Sequence, residues 1–502
     1  MKSEHQRALV LTGASGNTSS IGVLLFASII LVPIALLGPN TQLAMMAWLT
    51  LLVGVRLLWR PGEPPILLLV FAYQWMQTAI GLFYGNLLGL GVDHWAEHGG
   101  QHEQAILLTL IGLNVLAVSI RVVIGPQAPG LSQRIRAYIL QYPITSWFAV
   151  YVGAWIFSQV CLLIAPLSRG WYQPLLFLSQ FKWAAFFLLT VATFSQPRQR
   201  KLFWIAAFAL EFLQSVGGYF SSFSDVFLYT IVGLAASNVK IGLRNTLPLA
   251  IAGVALIFTG IVWSGIKEEY RNYASAGAKD QTVRLSTAEK FGKIEQLIGE
   301  MDAPRFGESA DIMVQRLMYF EFFGVILDRV PAGQPHSGGE IWGAATLSPF
   351  TPRLLFPNKP VIDDTKLTEK YTGIHVAAWG YGVSISMGYM AEAYIDFGPV
   401  FMFTVIAALG LYMGGLYRWL LGQKGSKVAL GAALAPMALM PAHLLESSSL
   451  KVVPPLVLSL IGCWFILSVL SNQLSRLQAR RQRPTAPRRK RPSLRKRIAA
   501  FG

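Results

Sequence analysis

Five side chains in the second half of the chain are of the types that handle a phosphorylated sugar. Arg316 lies in a segment with helical apolar spacing, Ser309–Val330, in which Ile312, Met313, Leu317, Phe320, Val325 and Leu327 would share a face. Arg353 and Lys359 stand close together in Ser348–Pro360, where Pro349, Pro352, Pro357 and Pro360 exclude regular helix and central strand. Glu392 and Asp396 follow just before a long apolar run. Arg and Lys bind phosphate oxygens, Arg in a bidentate fork. Fixed cations can neutralise a departing diphosphate without a metal, and a carboxylate can take the proton of an attacking hydroxyl. The Gly/Pro-rich stretch Pro331–Glu340 adds His336 and Glu340 as further polar contacts to a substrate. Plainer readings stand beside each of these. Arg353 and Lys359 suit a solvated surface, Arg316 suits an ion pair with a nearby carboxylate, and Glu392 suits capping or orienting the helix that follows it.

Two further charges sit where a charge is costly. Lys182 lies midway in the apolar run Leu175–Phe194, and Glu211 midway in Leu202–Val216. A charge in hydrocarbon costs about 2.5–3.5 kcal/mol even on the gentlest scale, so each needs a partner. Either the two form a buried structural pair, or they line a substrate cavity or proton path. His94, His98 and His102 are spaced four apart, but Gly99-Gly100 interrupts any shared helical face, and a wet loop is the default reading. Gly422–Lys427 has the wrong spacing for a phosphate loop. Cys161 and Cys463 both lie in apolar runs, which leaves no disulfide framework and no zinc spacing. No cofactor and no metal is implied.

The elements that must position these groups follow from composition. Of the 502 residues, 53% are hydrophobic and 13% charged, and the mean hydropathy is +0.48. Soluble domains carry about 25% charged residues. Long apolar runs with so few charges exclude a water-soluble enzyme and a disordered chain. They predict an all-α polytopic membrane protein. A bilayer core of roughly 30 Å needs about 20 helical residues, which predicts about twelve spans. These start near Ile21, Gln42, Ile66, Ala105, Ile144, Leu175, Leu202, Val226, Leu247, Pro399, Val428 and Val452, with breaks at Gly217–Ser222 and Glu446–Ser449. The expected organisation is a cytoplasmic segment (1–20), a first bundle of about nine spans (21–266), a large external segment (267–398), about three last spans (399–470) and a basic tail (471–502). The external segment holds 13 Lys and Arg against 17 Asp and Glu, a net of −4, so the rest of the chain carries +21. That charge concentrates in alternate loops and in a tail with no acidic residue, placing both termini in the cytoplasm. No aromatic residue separates the tail's cations before Phe501, so the tail suits anionic lipid and not nucleic acid. Within the external segment, Ser286–Glu289 fits a capping box opening a helix to about Gly299.

Arg316, Pro331, Gly338-Gly339, the run Thr351–Pro360 and the run Met387–Gly398 together resemble Wzy-type oligosaccharide repeat-unit polymerases, which are related in architecture to O-antigen ligases. The resemblance covers roughly 85 residues. It implies a membrane glycosyltransferase in the bacterial inner membrane, active at the periplasmic face. Such an enzyme moves a growing glycan from undecaprenyl pyrophosphate onto a lipid-linked repeat unit. It further implies that Arg316, Arg353 and Lys359 engage pyrophosphate and that Glu392 acts near the acceptor, although no motif singles out Glu392 as the base. The implied partners are the polyprenyl-pyrophosphate-linked oligosaccharide, membrane lipids and a chain-length regulator. An O-antigen ligase and a lipid-linked oligosaccharide flippase or transporter remain alternatives. A flippase would favour duplicated halves and short loops, and this chain has one dominant long segment.

Overall fold

In hydrocarbon every backbone N–H and C=O must be satisfied within the protein, so long apolar runs fold as helices. The computed structural model describes residues 22, 24–128, 130–168, 171–195, 201–216, 223–237, 243–274, 287–352, 355–356, 358–359, 363–375, 384–425 and 427–482. Among them every regular element is helical. In chain order these are α1 (Leu24–Leu36), α2 (Thr41–Leu58), α3 (Ile66–Leu88), α4 (His102–Ile124), α5 (Leu131–Ile139), α6 (Ile144–Ile164), α7 (Tyr172–Ser179), α8 (Phe181–Phe194), α9 (Leu202–Val216) and α10 (Phe223–Ala236). There follow α11 (Leu243–Ala274), α12 (Thr287–Gly299), α13 (Ala303–Leu317), α14 (Glu321–Arg329), α15 (Glu340–Leu347), α16 (Asp364–Thr372), α17 (Tyr389–Leu421), α18 (Lys427–Leu439) and α19 (Ser449–Gln482).

Among the described residues, seven helical units are long and apolar enough to cross a membrane: α2, α3, α4, α6, α7 with α8, α17, and α19 as far as Val469. Three more apolar helices, α1, α9 and α10, are shorter. Every expected span start after the first lies within a helix. Large apolar side chains stay exposed on the outer faces, among them Val122, Leu163, Phe401 and Trp464, as a lipid-facing belt requires.

The centre of the bundle is α4 against α17. Gly410 and Gly414 lie one turn apart on α17, and a Cβ on either would come within 3 Å of a carbonyl oxygen of Leu116 or Ile120 on α4. Small residues at this spacing let two backbones approach closely where no hydrophobic drive exists between helices. At one end of the pair, Arg60 bonds Glu63 at 2.5 Å and the Gly125 carbonyl at 2.9 Å, and Arg418 reaches the Val123 carbonyl. At the other end, the turn between α3 and α4 docks on α14. The Gln101 N–H donates to the Gly324 carbonyl, and Glu321 accepts from the N–H groups of Glu97 and His98.

The long segment after Lys267 is not a separate body. Phe323, Ile326, Leu327, Val330, Trp342 and Tyr371 belong to the same buried core as α3, α4 and α17. The single amphipathic helix expected over Ser309–Val330 is two helices. It breaks at Met318–Phe320, because the Met318 sulfur fills the notch above Gly81 of α3 and the Tyr319 N–H is taken by the Gln77 carbonyl. The helix expected from the capping box is α12, while Ser286 lies outside the described residues. The last spans carry two interruptions. α17 starts ten residues before Pro399 and kinks at Gly398, whose φ of 73° suits glycine. Between α18 and α19 the chain is non-helical over much of Met440–Ser448, and it is largely buried.

Candidate functional site

Irregular backbone deep in a bundle must find donors and acceptors, and here two glutamines of α3 supply them. Gln74 and Gln77 are one turn apart and buried. The Gln74 amide donates to the Ala442 carbonyl at 2.7 Å and accepts from the Tyr389 hydroxyl at 2.9 Å. The Gln77 side chain accepts from the Leu445 N–H at 2.7 Å, and its carbonyl accepts from the Tyr319 N–H. The α13–α14 break, the start of α17 and the α18–α19 connection are thereby held on one face of α3. Gly388 stands in the middle with φ 82°, and a Cβ there would lie 2.7 Å from the Tyr319 ring.

Three carboxylates brace this junction. Glu392 is 1% exposed and accepts from the Ser449 N–H at 2.6 Å, so it caps the start of α19 across the fold and not its own helix. Asp396 accepts from the Ser337 hydroxyl and from the Ile341 and Trp342 N–H groups, at 3.2 and 2.7 Å for the latter two, which caps α15. Asp364, at the start of α16, pairs with Lys451 at 2.8 Å and accepts from the Ser448 hydroxyl.

Beside them lies a second group with almost no such ties. Among the described residues, Arg316, Lys267 and Glu446 have no direct hydrogen bond or ion pair, and none is fully buried. Burial and the nearby charges of Arg271 and Arg316 pull the Lys267 ammonium down to about 8, with Glu446 opposing. Burial also lowers Arg316, against the pull of Glu268, and raises Glu446 against the pull of Lys451 and Lys267. The Tyr319 hydroxyl is buried without a partner. Burial and then Glu446, Glu392 and Asp364 push it well above the ordinary tyrosine range, so these carboxylates lie near it. Lys267 lies near Arg316 and Glu446, so two cations and a carboxylate without direct partners gather beside the junction.

The expected site residues separate in this structure. Arg316 and Glu392 both adjoin the junction. Arg353 lies outside the described residues. Lys359 uses its ammonium within its own loop, donating to the Ser348 carbonyl at 3.1 Å, the Ser348 hydroxyl at 3.0 Å and the Thr351 carbonyl at 3.3 Å. It lines an open cleft of about 470 Å³ with Thr351, Leu355, Phe356 and Asn358. The cation beside Arg316 is Lys267 instead. His336 bonds the Ile395 carbonyl through Nδ1 at 3.1 Å and packs edge-on against Tyr394. Glu340 is exposed in the first turn of α15. His98 bonds Glu321 and His102 bonds Asp93, so the two histidines turn to different partners.

Lys182 and Glu211 meet at 2.6 Å, and the Tyr151 hydroxyl donates to the other Glu211 oxygen at 3.0 Å. The pair is a buried, hydrogen-bonded brace between α8 and α9. Lys182→Leu alone should destabilise the protein by about 3–5 kcal/mol, because Glu211 is left charged and buried, whereas Lys182→Leu with Glu211→Leu should recover most of that loss. Thermal unfolding in detergent checks both, and equal melting of the single and double variants would contradict the expectation.

Sequence reasoning passed over Gln74, Gln77, Asp364, Tyr319 and Lys451. The first two had a readable signal: two amides three residues apart inside a 23-residue apolar helix need partners there.

Among the described residues, an all-helical bundle with seven apolar helices of spanning length is compatible with a helical membrane protein, and charged groups gather where three chain breaks meet on α3. The chain belongs to a family described as a domain of unknown function (DUF8712), whose model matches residues 134–421. That match contains Lys267, Arg316, Tyr319 and Glu392 and stops before Glu446. No curated protein and no solved structure matches the chain.

Proposed function

We propose that this chain is a multi-pass glycosyltransferase of the bacterial inner membrane, polymerising oligosaccharide repeat units carried on polyprenyl pyrophosphate. The observation that carries the reading is a pair of cations without direct partners. Arg316 is exposed and Lys267 half-buried, neither has an ion pair among the described residues, and Lys267 lies near both Arg316 and Glu446. A lipid diphosphate leaving group needs fixed positive charge, and a low-dielectric wall strengthens each cation's effect. The open apolar cleft beside Lys359 suits a prenyl tail, with Leu355 and Phe356 exposed along it. In the proposed topology about twelve spans place both termini in the cytoplasm and Arg316 with Lys267 at the periplasmic face.

A strain lacking the gene tests the reading by the lipid-linked material it accumulates. Single repeat units on the lipid are expected. Finished polymer on the lipid would make the protein a ligase, and loss of all periplasmic repeat units would make it a flippase.

A further inference from the structure

We propose that Glu446, on the non-helical segment between α18 and α19, is the carboxylate that takes the proton of the attacking sugar hydroxyl, while Glu392 is a positioning residue that fixes α19 beside it. This rests on the glycosyl-transfer reading above.

Besides Glu268, which is exposed on α11 near Arg316, four carboxylates lie around the junction. Glu392 is closed off from solvent and spends an oxygen on the Ser449 N–H. Asp396 is buried and holds three donors, and Asp364 is buried, paired with Lys451 and hydrogen-bonded to Ser448. Glu446 alone of the four is half-open, with no hydrogen bond or ion pair among the described residues. It is also held in place. Its neighbour Leu445 is anchored on Gln77, whose carbonyl anchors Tyr319 three residues from Arg316. The buried Tyr319 hydroxyl, without a partner, lies near Glu446.

In the step, the acceptor hydroxyl oxygen forms the new bond to C1 of the donor sugar. The bond from C1 to the diphosphate oxygen breaks, and its electron pair leaves with the lipid diphosphate. The added negative charge meets Arg316 and Lys267, and the hydroxyl proton ends on Glu446. The groups facing Glu446 are Lys267 from α11, Lys451 from α19, Tyr73 from α3 and Tyr319 from the α13–α14 break. Burial raises Glu446 above the ordinary carboxylate range, so activity should fall as pH drops through that raised value and the base becomes protonated.

The test mixes the purified full-length chain with membrane vesicles from the deletion strain, which hold their own lipid-linked repeat units. Polymer is followed against pH, and melting is measured in parallel. Glu446→Gln should lose about 100-fold or more in rate while melting like the unaltered protein. Glu446→Asp, with the carboxylate drawn back, should keep part of the rate and the acidic limb. Glu392→Gln should melt earlier and keep the acidic limb. Unaltered rate and pH profile in Glu446→Gln would overturn the assignment, as would equal rates for Glu446→Gln and Glu446→Asp. If the unaltered chain makes no polymer from those vesicles, glycosyl transfer itself fails, and the role given to Glu446 falls with it.

Discussion

Arg316→Ala should reduce polymer formation by about 10²–10³-fold, or ~2.7–4 kcal/mol of lost transition-state stabilisation, while the protein reaches the membrane in normal amount. The two halves of that expectation have separate grounds. Arg316 has no hydrogen bond or ion pair among the described residues and is open to solvent on one side, so removing it orphans no buried group. Folding should therefore be spared. The catalytic loss follows from the geometry of the diphosphate, whose oxygens a planar guanidinium can hold two at a time. Arg316→Lys, which keeps charge and loses the fork, should fall between the two. Lys359→Ala makes the informative contrast. It breaks three bonds inside the Ser348–Lys359 loop and should loosen that loop. Its effect should therefore appear in protease sensitivity as well as in rate. Polymer length and amount on a gel, with membrane abundance by immunoblot, check both. Full polymer from Arg316→Ala would remove the cation argument and the proposed reaction with it.

What could be read from the chain alone divides along a physical line. Groups whose demands are local were legible. Lys182 and Glu211 needed a partner because hydrocarbon supplies none, and they found each other. Groups whose demands are met across the fold were not legible in detail. Glu392 stands at the start of one helix and looks like its cap, yet its oxygen goes to Ser449, 57 residues on. The break at Met318–Phe320 has no Gly or Pro to announce it. It exists because α3 offers a notch at Gly81 and a carbonyl at Gln77. Lys267 was read as the edge of a segment, and only the packing of α11 along α13 makes it the companion of Arg316. The close contact of Gly265 with Ser309 sets that packing. In each case the sequence names the chemical type, and tertiary contact decides the partner.

Gln74→Leu combined with Gln77→Leu should be the most damaging change to stability outside the apolar core. Each replacement fits the volume, so no cavity or clash is expected to dominate. What is lost is satisfaction. The Ala442 carbonyl, the Tyr389 hydroxyl and the Leu445 N–H each lose their side-chain partner in a buried setting. An orphaned buried polar group costs about 1–3 kcal/mol, so the pair should cost at least ~3 kcal/mol, with some non-additivity because the two side chains serve one junction. The same replacement at Gln159, which is half-buried and bonded to the exposed Gln214 in a solvent-open contact, should do little. Thermal melting of the three proteins in one detergent separates the cases. Activity should fall with the double variant too, because Glu446 follows Leu445 and Arg316 precedes Tyr319. Once the Leu445 anchor on Gln77 is gone, the cations and the free carboxylate lose their common frame. A double variant that melts like the unaltered protein would mean that the breaks are held by something other than α3, and the gathering of Arg316, Lys267 and Glu446 would need a different physical origin.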